Sequence, residues 1–98
     1  MDCGDFVTLY LLDPMERYWG KLIGLSEAGV TLRCIDVKEI ETFKYQFHKQ
    51  EQVVFPQTTF YPMRRILKMD LDESIGEVPS VIEAICGVTS ATPSEIIQ

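Results

Sequence analysis

Residues 6–36 read FVTLYLLDPMERYWGKLIGLSEAGVTLRCID, and this stretch decides the fold because it contains three strands in succession. Its β-branched, aromatic and aliphatic residues alternate with polar ones, which is typical of strands that bury one face. Turn residues, among them Pro14, separate the apolar runs. We predict strands over residues 6–12, 17–25 and 30–35.

Two glycines lie inside the second of these strands. Gly20 and Gly24 are four residues apart and therefore on the same face of the strand. Glycine weakens a strand unless the backbone needs a bulge or a sharp bend, so the pair indicates a strand that coils around a small barrel. Gly29, in the turn that follows, is free to take a positive φ.

A helix is predicted over residues 37–51. Asp36 and Glu39 have the spacing of a capping box, in which the N-cap residue is followed by Glu three positions later. Apolar side chains then recur at helical spacing, and we expect this stripe to pack on the barrel or on another subunit. The stripe consists of Val37, Ile40, Phe43 and Phe47.

The second half of the chain returns to strands and ends in helices. Residues 58–61 and 64–71 are predicted to be strands four and five, and residues 53–56 a linker because Pro56 cannot pair within a sheet. Residues 79–98 form a helical tail that contains two further capping-box patterns. Its last helix is very short, so it must either dock on another part of the structure or on a partner, or fray.

Composition narrows the class of protein. The 98 residues suffice for a single domain, and 46% of them are apolar. The net charge of −6 opposes non-specific binding to phosphate. No apolar run approaches the roughly 20 residues that span a membrane, and the first residues do not resemble a signal peptide. Three widely spaced cysteines and one histidine do not form a zinc-binding pattern, so we expect a cytoplasmic protein without cofactor, metal or membrane partner.

Five short strands, with a strongly bent second strand that carries an internal glycine, resemble the Sm-like (LSm/Hfq-type) family of small β-barrels, in an uncharacterised bacterial branch. Gly20-Lys21-Leu22 matches the Gly-x-Leu that opens the first motif of the family. Residues 61–66 resemble the short connection between its last two strands. The resemblance implies a mainly β, five-stranded Sm-like or SH3-like barrel with a helical insertion and a short C-terminal helical tail.

We therefore expect one domain over residues 1–98. The barrel would comprise residues 6–35 and 57–72, the helical insertion residues 37–51, and the tail residues 79–98.

The nucleotide-binding residues of the family do not carry over to this chain. Ser26 occupies the position of the family's acidic residue, and the chain contains no Asn. Pro62-Met63-Arg64 stands where the second motif has Arg-Gly or Lys-His. The resemblance therefore extends to the fold and not to the residues that hold a nucleotide.

We predict a non-enzymatic binding and assembly module with no catalytic or metal-binding residues. The edge strands of an open barrel present unpaired backbone groups, and another chain can complete the ladder. In Sm-like proteins this edge closes homomeric rings, so the resemblance implies a homo-oligomer, with another protein as a further possible partner. The predicted interface residues are Tyr61, Met63, Arg64 and Ile66.

RNA or single-stranded nucleic-acid binding on such a ring is the alternative. Aromatic side chains next to basic ones can form a stacking platform for bases. The residues that would serve it are Lys21, Arg33, Tyr61, Arg64 and Arg65.

A small enzyme is the third hypothesis, with His48 and the three cysteines as its only base and nucleophile candidates.

Trp19 and Phe60 are most simply core residues. Asp70, Asp72 and Glu73 are interpreted as a solvated acidic end of the fifth strand.

Overall fold

Over residues 1–49 and 51–98, which are those it describes, a computed structural model of the chain contains five strands and three helices; of residues 48 and 49 it describes the backbone alone. The strands are β1 (Phe6–Leu11), β2 (Glu16–Leu25), β3 (Gly29–Asp36), β4 (Gln57–Pro62) and β5 (Ile66–Leu71). The helices are α1 (Ile40–Lys49), α2 (Val81–Thr89) and α3 (Pro93–Ile96), and short 3₁₀ turns span Val37–Glu39 and Met63–Arg65.

All five strands belong to one antiparallel sheet in the order β4-β3-β2-β1-β5, which confirms the prediction of a mainly β domain. The outermost strands, β4 and β5, follow one another in the chain and are joined by the turn Met63–Arg65. The ladder does not pair β4 with β5, so each of them leaves one edge free among the described residues. The fifth strand begins at Ile66 rather than residue 64, because residues 64 and 65 belong to the turn.

One face of the sheet carries an apolar core to which every strand contributes. Since β4 and β5 lie at opposite ends of the ladder, Tyr61 of β4 and Met69 of β5 can pack on one cluster only if the sheet curls over itself. We call this face the concave face. Its buried residues are Val7, Leu9, Leu11, Leu22, Val30, Leu32, Cys34 and Tyr61.

The glycines of β2 mark the place where the strand bends. A Cβ atom on Gly20 would lie 2.2 Å from the carbonyl oxygen of Arg33 and 2.5 Å from the Cα atom of Cys34. The β2–β3 register shifts between Leu22 and Gly24, which is the signature of a bulge. The bulge lies beside Gly24, as expected for a glycine inside a strand. Gly20 pairs with Cys34 and Gly24 pairs with Thr31, three residues away in β3, so the two glycines lie on opposite faces and the prediction that they share a face was wrong.

Gly29 is required for a reason other than a positive φ. Its φ is not in the positive range, so Gly29 does not use the conformational freedom noted from the sequence. Gly29 is the first residue of β3, and a Cβ atom there would lie 2.1 Å from the carbonyl oxygen of Tyr61. The close approach of β4 excludes a side chain at this position.

The three helices pack on the other face of the sheet. Phe43 of α1 lies against Trp19 of β2, with ring centroids 6.3 Å apart. The predicted stripe on α1 therefore packs within the domain, and the short α3 docks because Ile96 and Ile97 are buried. The buried residues of this helical layer are Trp19, Ile35, Phe43, Ile85, Ile96 and Ile97.

Asp72 links the helical layer to the sheet. Its carboxylate accepts hydrogen bonds from Nε1 of Trp19 (3.1 Å) and from the first two backbone N–H groups of α2 (2.8 and 2.9 Å). Carboxylates at helix N-termini satisfy amide groups that lack a partner within the helix. The interpretation of Asp72 as a solvated residue was therefore wrong, whereas Asp70 and Glu73 are exposed.

The buried amide of Gln46 holds the linker against α1. Its Oε1 accepts from the backbone N–H groups of Val53 (3.2 Å) and Val54 (2.9 Å), and its Nε2 donates to the carbonyl of Val54 at 2.9 Å. Residues 53–56 belong to no strand, as predicted for a linker. These contacts position Phe55, which lies two residues before the first residue of β4.

Candidate functional site

The free edge of β4, residues 57–62, has the composition of a strand that can accept another strand. None of its six residues carries a charge. Because Tyr61 points into the concave core, its neighbour Phe60 points out, and 52% of Phe60 is exposed. The ring of Phe60 lies above Gly29, where a Cβ atom would approach it to 2.8 Å.

The turn between β4 and β5 is fixed by hydrogen bonds on both sides. The N–H of Met63 donates to the carbonyl of Ala28 at 2.9 Å, and the N–H of Leu12 donates to the carbonyl of Arg65 at 2.8 Å. The guanidinium of Arg65 also forms an ion pair with Glu16 at 2.9 Å. These bonds consequently fix the position of the turn that joins the free-edge strands β4 and β5.

The free edge of β5, residues 66–71, combines an apolar bulge with a charge pair. The β1–β5 register shifts at Leu67, of which 50% is exposed. Lys68 forms an ion pair with Asp70 at 3.2 Å and lies over the ring of Tyr10, 4.6 Å from its centroid. The lysine charge on this edge is therefore balanced within the chain.

The structure divides the predicted interface residues into two groups. Met63 and Arg64 lie in the exposed turn. Tyr61 is only 8% exposed and Ile66 packs against the concave core, so their side chains contribute little to the surface. Ile66 can still contribute backbone groups to the free edge of β5, whereas the carbonyl of Tyr61 lies beside Gly29 of β3.

Two of the five residues of the nucleic-acid hypothesis lie together on the face that carries the helices. Lys21 and Arg33 are directly opposite each other in β2 and β3. Each has an acceptor within the chain: Nζ of Lys21 lies 3.5 Å from the carbonyl of Ile97, and a guanidinium nitrogen of Arg33 donates to Oγ1 of Thr58 at 3.1 Å.

The other three residues of that hypothesis lie near the β4–β5 turn. Arg64 is exposed and Arg65 is paired with Glu16, while the ring of Tyr61 faces the concave core. Arg33 is four residues, or about 13 Å, along β3 from the end that meets this turn. The five side chains therefore do not form one continuous platform.

A pair of tyrosines and a cysteine line the end of the concave core. Tyr18 and Tyr61 lie 5.3 Å apart between ring centroids, and the hydroxyl of Tyr61 is 3.5 Å from Sγ of Cys34. The hydrogen bond that Tyr18 donates to Glu16 (2.7 Å), with burial, raises the pKa of Tyr18 to about 12. Burial raises the pKa values of Tyr61 and Cys34 as well. Cys34 is accordingly a protonated thiol at neutral pH, which is a poor nucleophile.

Sequence reasoning missed the outward position of Phe60, which it assigned to the core. A strand places consecutive side chains on opposite faces, so Phe60 and Tyr61 cannot both be buried in one core. The register partner of Phe60 is Thr31, one of three polar or charged residues in β3. The alternation of Phe60 with Tyr61 was the signal in the sequence for an exposed side chain.

The side chain of His48 lies outside the described residues. Within the residues that are described, no three His, Cys, Asp or Glu side chains come together in a way that would hold a metal ion. None of the described helices combines the length and apolar character required to cross a membrane.

Comparison with protein-family models, with curated proteins and with solved structures finds no match to this chain.

Proposed function

We propose that this chain is a non-enzymatic assembly module on an Sm-like or SH3-like barrel scaffold, in which the β4 edge of one copy pairs with the β5 edge of the next. The pairing would extend the sheet from molecule to molecule through backbone hydrogen bonds. Side chains next to the edges would add apolar contacts and set the register.

The observation that carries the proposal is the β4 edge. Exposed edge strands usually carry charges, proline in mid-strand or a covering segment, which prevent pairing with another chain. The six residues of β4 are uncharged, their proline is at the last position, and Phe60 is half exposed. An edge without these protections is suited to a partner strand.

The order of the strands supports the barrel scaffold. β4 and β5 are outermost in the ladder, adjacent in sequence and joined by a three-residue turn, and side chains from both reach one concave core. This arrangement is what the resemblance to the Sm-like family implies.

The two edges differ in sequence and in shape, so their pairing would be head to tail. Head-to-tail contacts repeat until the rotation between copies closes a ring. Phe60 on one edge and Leu67 on the other are the exposed apolar side chains expected to be covered, with Met63 beside them.

Light scattering coupled to size-exclusion chromatography tests the proposal over a range of protein concentrations. The wild-type chain should elute at a multiple of the 11.2 kDa monomer mass. Phe60→Lys should give a monomer, because a lysine at the interface would lose its hydration without a partner. Met15→Lys is the matched control, since Met15 is 75% exposed in the β1–β2 turn and should leave the mass unchanged.

A mixing experiment tests the head-to-tail geometry. Leu67→Lys should also be monomeric, since it blocks the other edge. A mixture of the two blocked variants retains one intact β4 edge and one intact β5 edge, so it should form a dimer and nothing larger. A monomeric wild type at all concentrations, or a Phe60→Lys variant with unchanged mass and circular dichroism, would refute the proposal.

A further inference from the structure

A cavity of about 360 Å³ opens between the end of β3, the 3₁₀ turn before α1 and the linker before β4. This volume is at the lower end of the range for ligand sites, and it suits a group of the size of one side chain. Three aromatic residues line it, Tyr18, Phe55 and Tyr61.

All the charged side chains in the lining of this cavity are acidic. Asp36 and Glu39 contribute carboxylates, and no lysine or arginine belongs to the described lining. Neither carboxylate forms an ion pair with a described basic side chain. The two charges are therefore free to interact with a cation that enters.

The fold fixes the carboxylate of Asp36 and the backbone position of Glu39. Asp36 is the N-cap of the 3₁₀ turn, and one of its oxygens accepts from the N–H of Lys38 at 2.9 Å. Glu39 is in the same turn, three residues further along the chain. The spacing that predicted a helix start thus also places two acidic residues in the lining of the cavity.

The aromatic wall is also held in place, with one ring open to solvent. The linker hydrogen bonds of Gln46 fix Val54, and Phe55 follows it with 58% of its surface exposed. An exposed phenylalanine beside carboxylates offers a π face to a cation while the carboxylates supply charge. Repulsion by Asp36 is also among the causes of the raised pKa of Tyr18, which is consistent with a negative potential here.

We propose that this cavity binds a guanidinium group, that of an arginine side chain on a partner peptide or of a small free molecule. Guanidinium is planar and can stack on an aromatic ring while its N–H groups donate to carboxylates in a forked geometry. The proposal does not depend on self-association of the chain.

Amide chemical shifts of the ¹⁵N-labelled protein test the proposal in a titration with Nα-acetyl-arginine amide. Saturable shifts are expected for residues 34–39 and 54–59. Nα-acetyl-citrulline amide has the same shape without the charge, and it should cause no saturable shift. Equal effects of the two compounds, or the absence of any saturable shift, would overturn the proposal.

Variants connect the binding to the named side chains. Glu39→Gln should weaken binding at least about fivefold, which corresponds to the loss of one exposed charge contact, and Phe55→Ala should do so to a similar extent. Glu77→Gln is the matched control, because Glu77 is exposed and not part of the lining, and it should change affinity less than about twofold. Unchanged affinity in both Glu39→Gln and Phe55→Ala would contradict the assignment.

A peptide distinguishes the two sources of the group. Tighter binding of Gly-Gly-Arg-Gly-Gly than of the arginine amide would assign the site to a partner chain. Equal affinity would assign it to a small free guanidinium compound.

Discussion

Gly20 shows how a single residue permits the curvature of the sheet. The space that a Cβ atom would fill is occupied by the backbone of β3, including the carbonyl oxygen of Arg33 at 2.2 Å. We expect Gly20→Ala to lower the free energy of unfolding by about 3 kcal/mol, because the two strands must separate to admit the methyl group. Urea denaturation followed by circular dichroism measures this loss.

Gly87 is the matched control for that substitution. It lies in α2, and a Cβ atom there would meet no other atom within 4 Å. Gly87→Ala should raise the free energy of unfolding by about 0.5–1 kcal/mol, since alanine is the better helix former. Equal effects of the two substitutions would contradict the role assigned to the Gly20 site.

The sequence predicted some residue roles and not others for a physical reason. Alternation in β2 and β3 indicates which side chains share a face, and Trp19 was correctly placed in a core. Alternation does not say how far a core extends toward an edge. Phe60 has the same apolar character as Trp19, but it lies beyond the part of the outer face that the helices cover.

At the scale of the element, Asp72 anchors α2 to the sheet. Asp72→Ala would remove the acceptor of Nε1 of Trp19 and of two N–H groups in the first turn of α2. We expect a loss of about 2–3 kcal/mol in the free energy of unfolding, the sum of a lost helix cap and an unpaired indole N–H. Chemical denaturation measures it, and the fluorescence of Trp19 should change in the native state.

Asp70 provides the comparison for this element. It is exposed, and its ion pair with Lys68 joins two surface side chains. Surface pairs contribute roughly 0–1 kcal/mol, so Asp70→Ala should have a small effect and leave the fluorescence of Trp19 unchanged. If Asp70→Ala lost as much stability as Asp72→Ala, the removal of a negative charge, and not the loss of the helix cap, would explain the effect of Asp72→Ala.

The elements themselves were predicted better than their contacts. The boundaries of the strands and helices follow local patterns such as the caps at Asp36 and Ser80. The docking of α3 does not follow from a local pattern, because a four-residue helix has little stability of its own. Burial of Ile96 and Ile97 against residues far away in sequence stabilises it. The cavity beside Asp36 was missed in the same way, since its linker wall is placed by Gln46 from another element.

At the scale of the whole molecule, the sheet is shared by two cores. The concave core and the helical layer lie on opposite faces of the same strands, and β2 supplies Leu22 to one and Trp19 to the other. Unfolding of the strands that line one core would therefore also remove them from the other core. The domain is therefore expected to behave as one cooperative unit although its apolar residues form two clusters.

Unfolding measured by two probes tests this cooperativity. Trp19 is the only tryptophan and reports on the helical layer, whereas far-ultraviolet circular dichroism includes the strands that form the concave core. The two urea transitions should coincide in midpoint and slope, because loss of the layer exposes the apolar outer face of β2 and β3 and so destabilises the sheet. A fluorescence transition complete at lower urea than the dichroism transition would instead show that the helices detach from a sheet that remains folded.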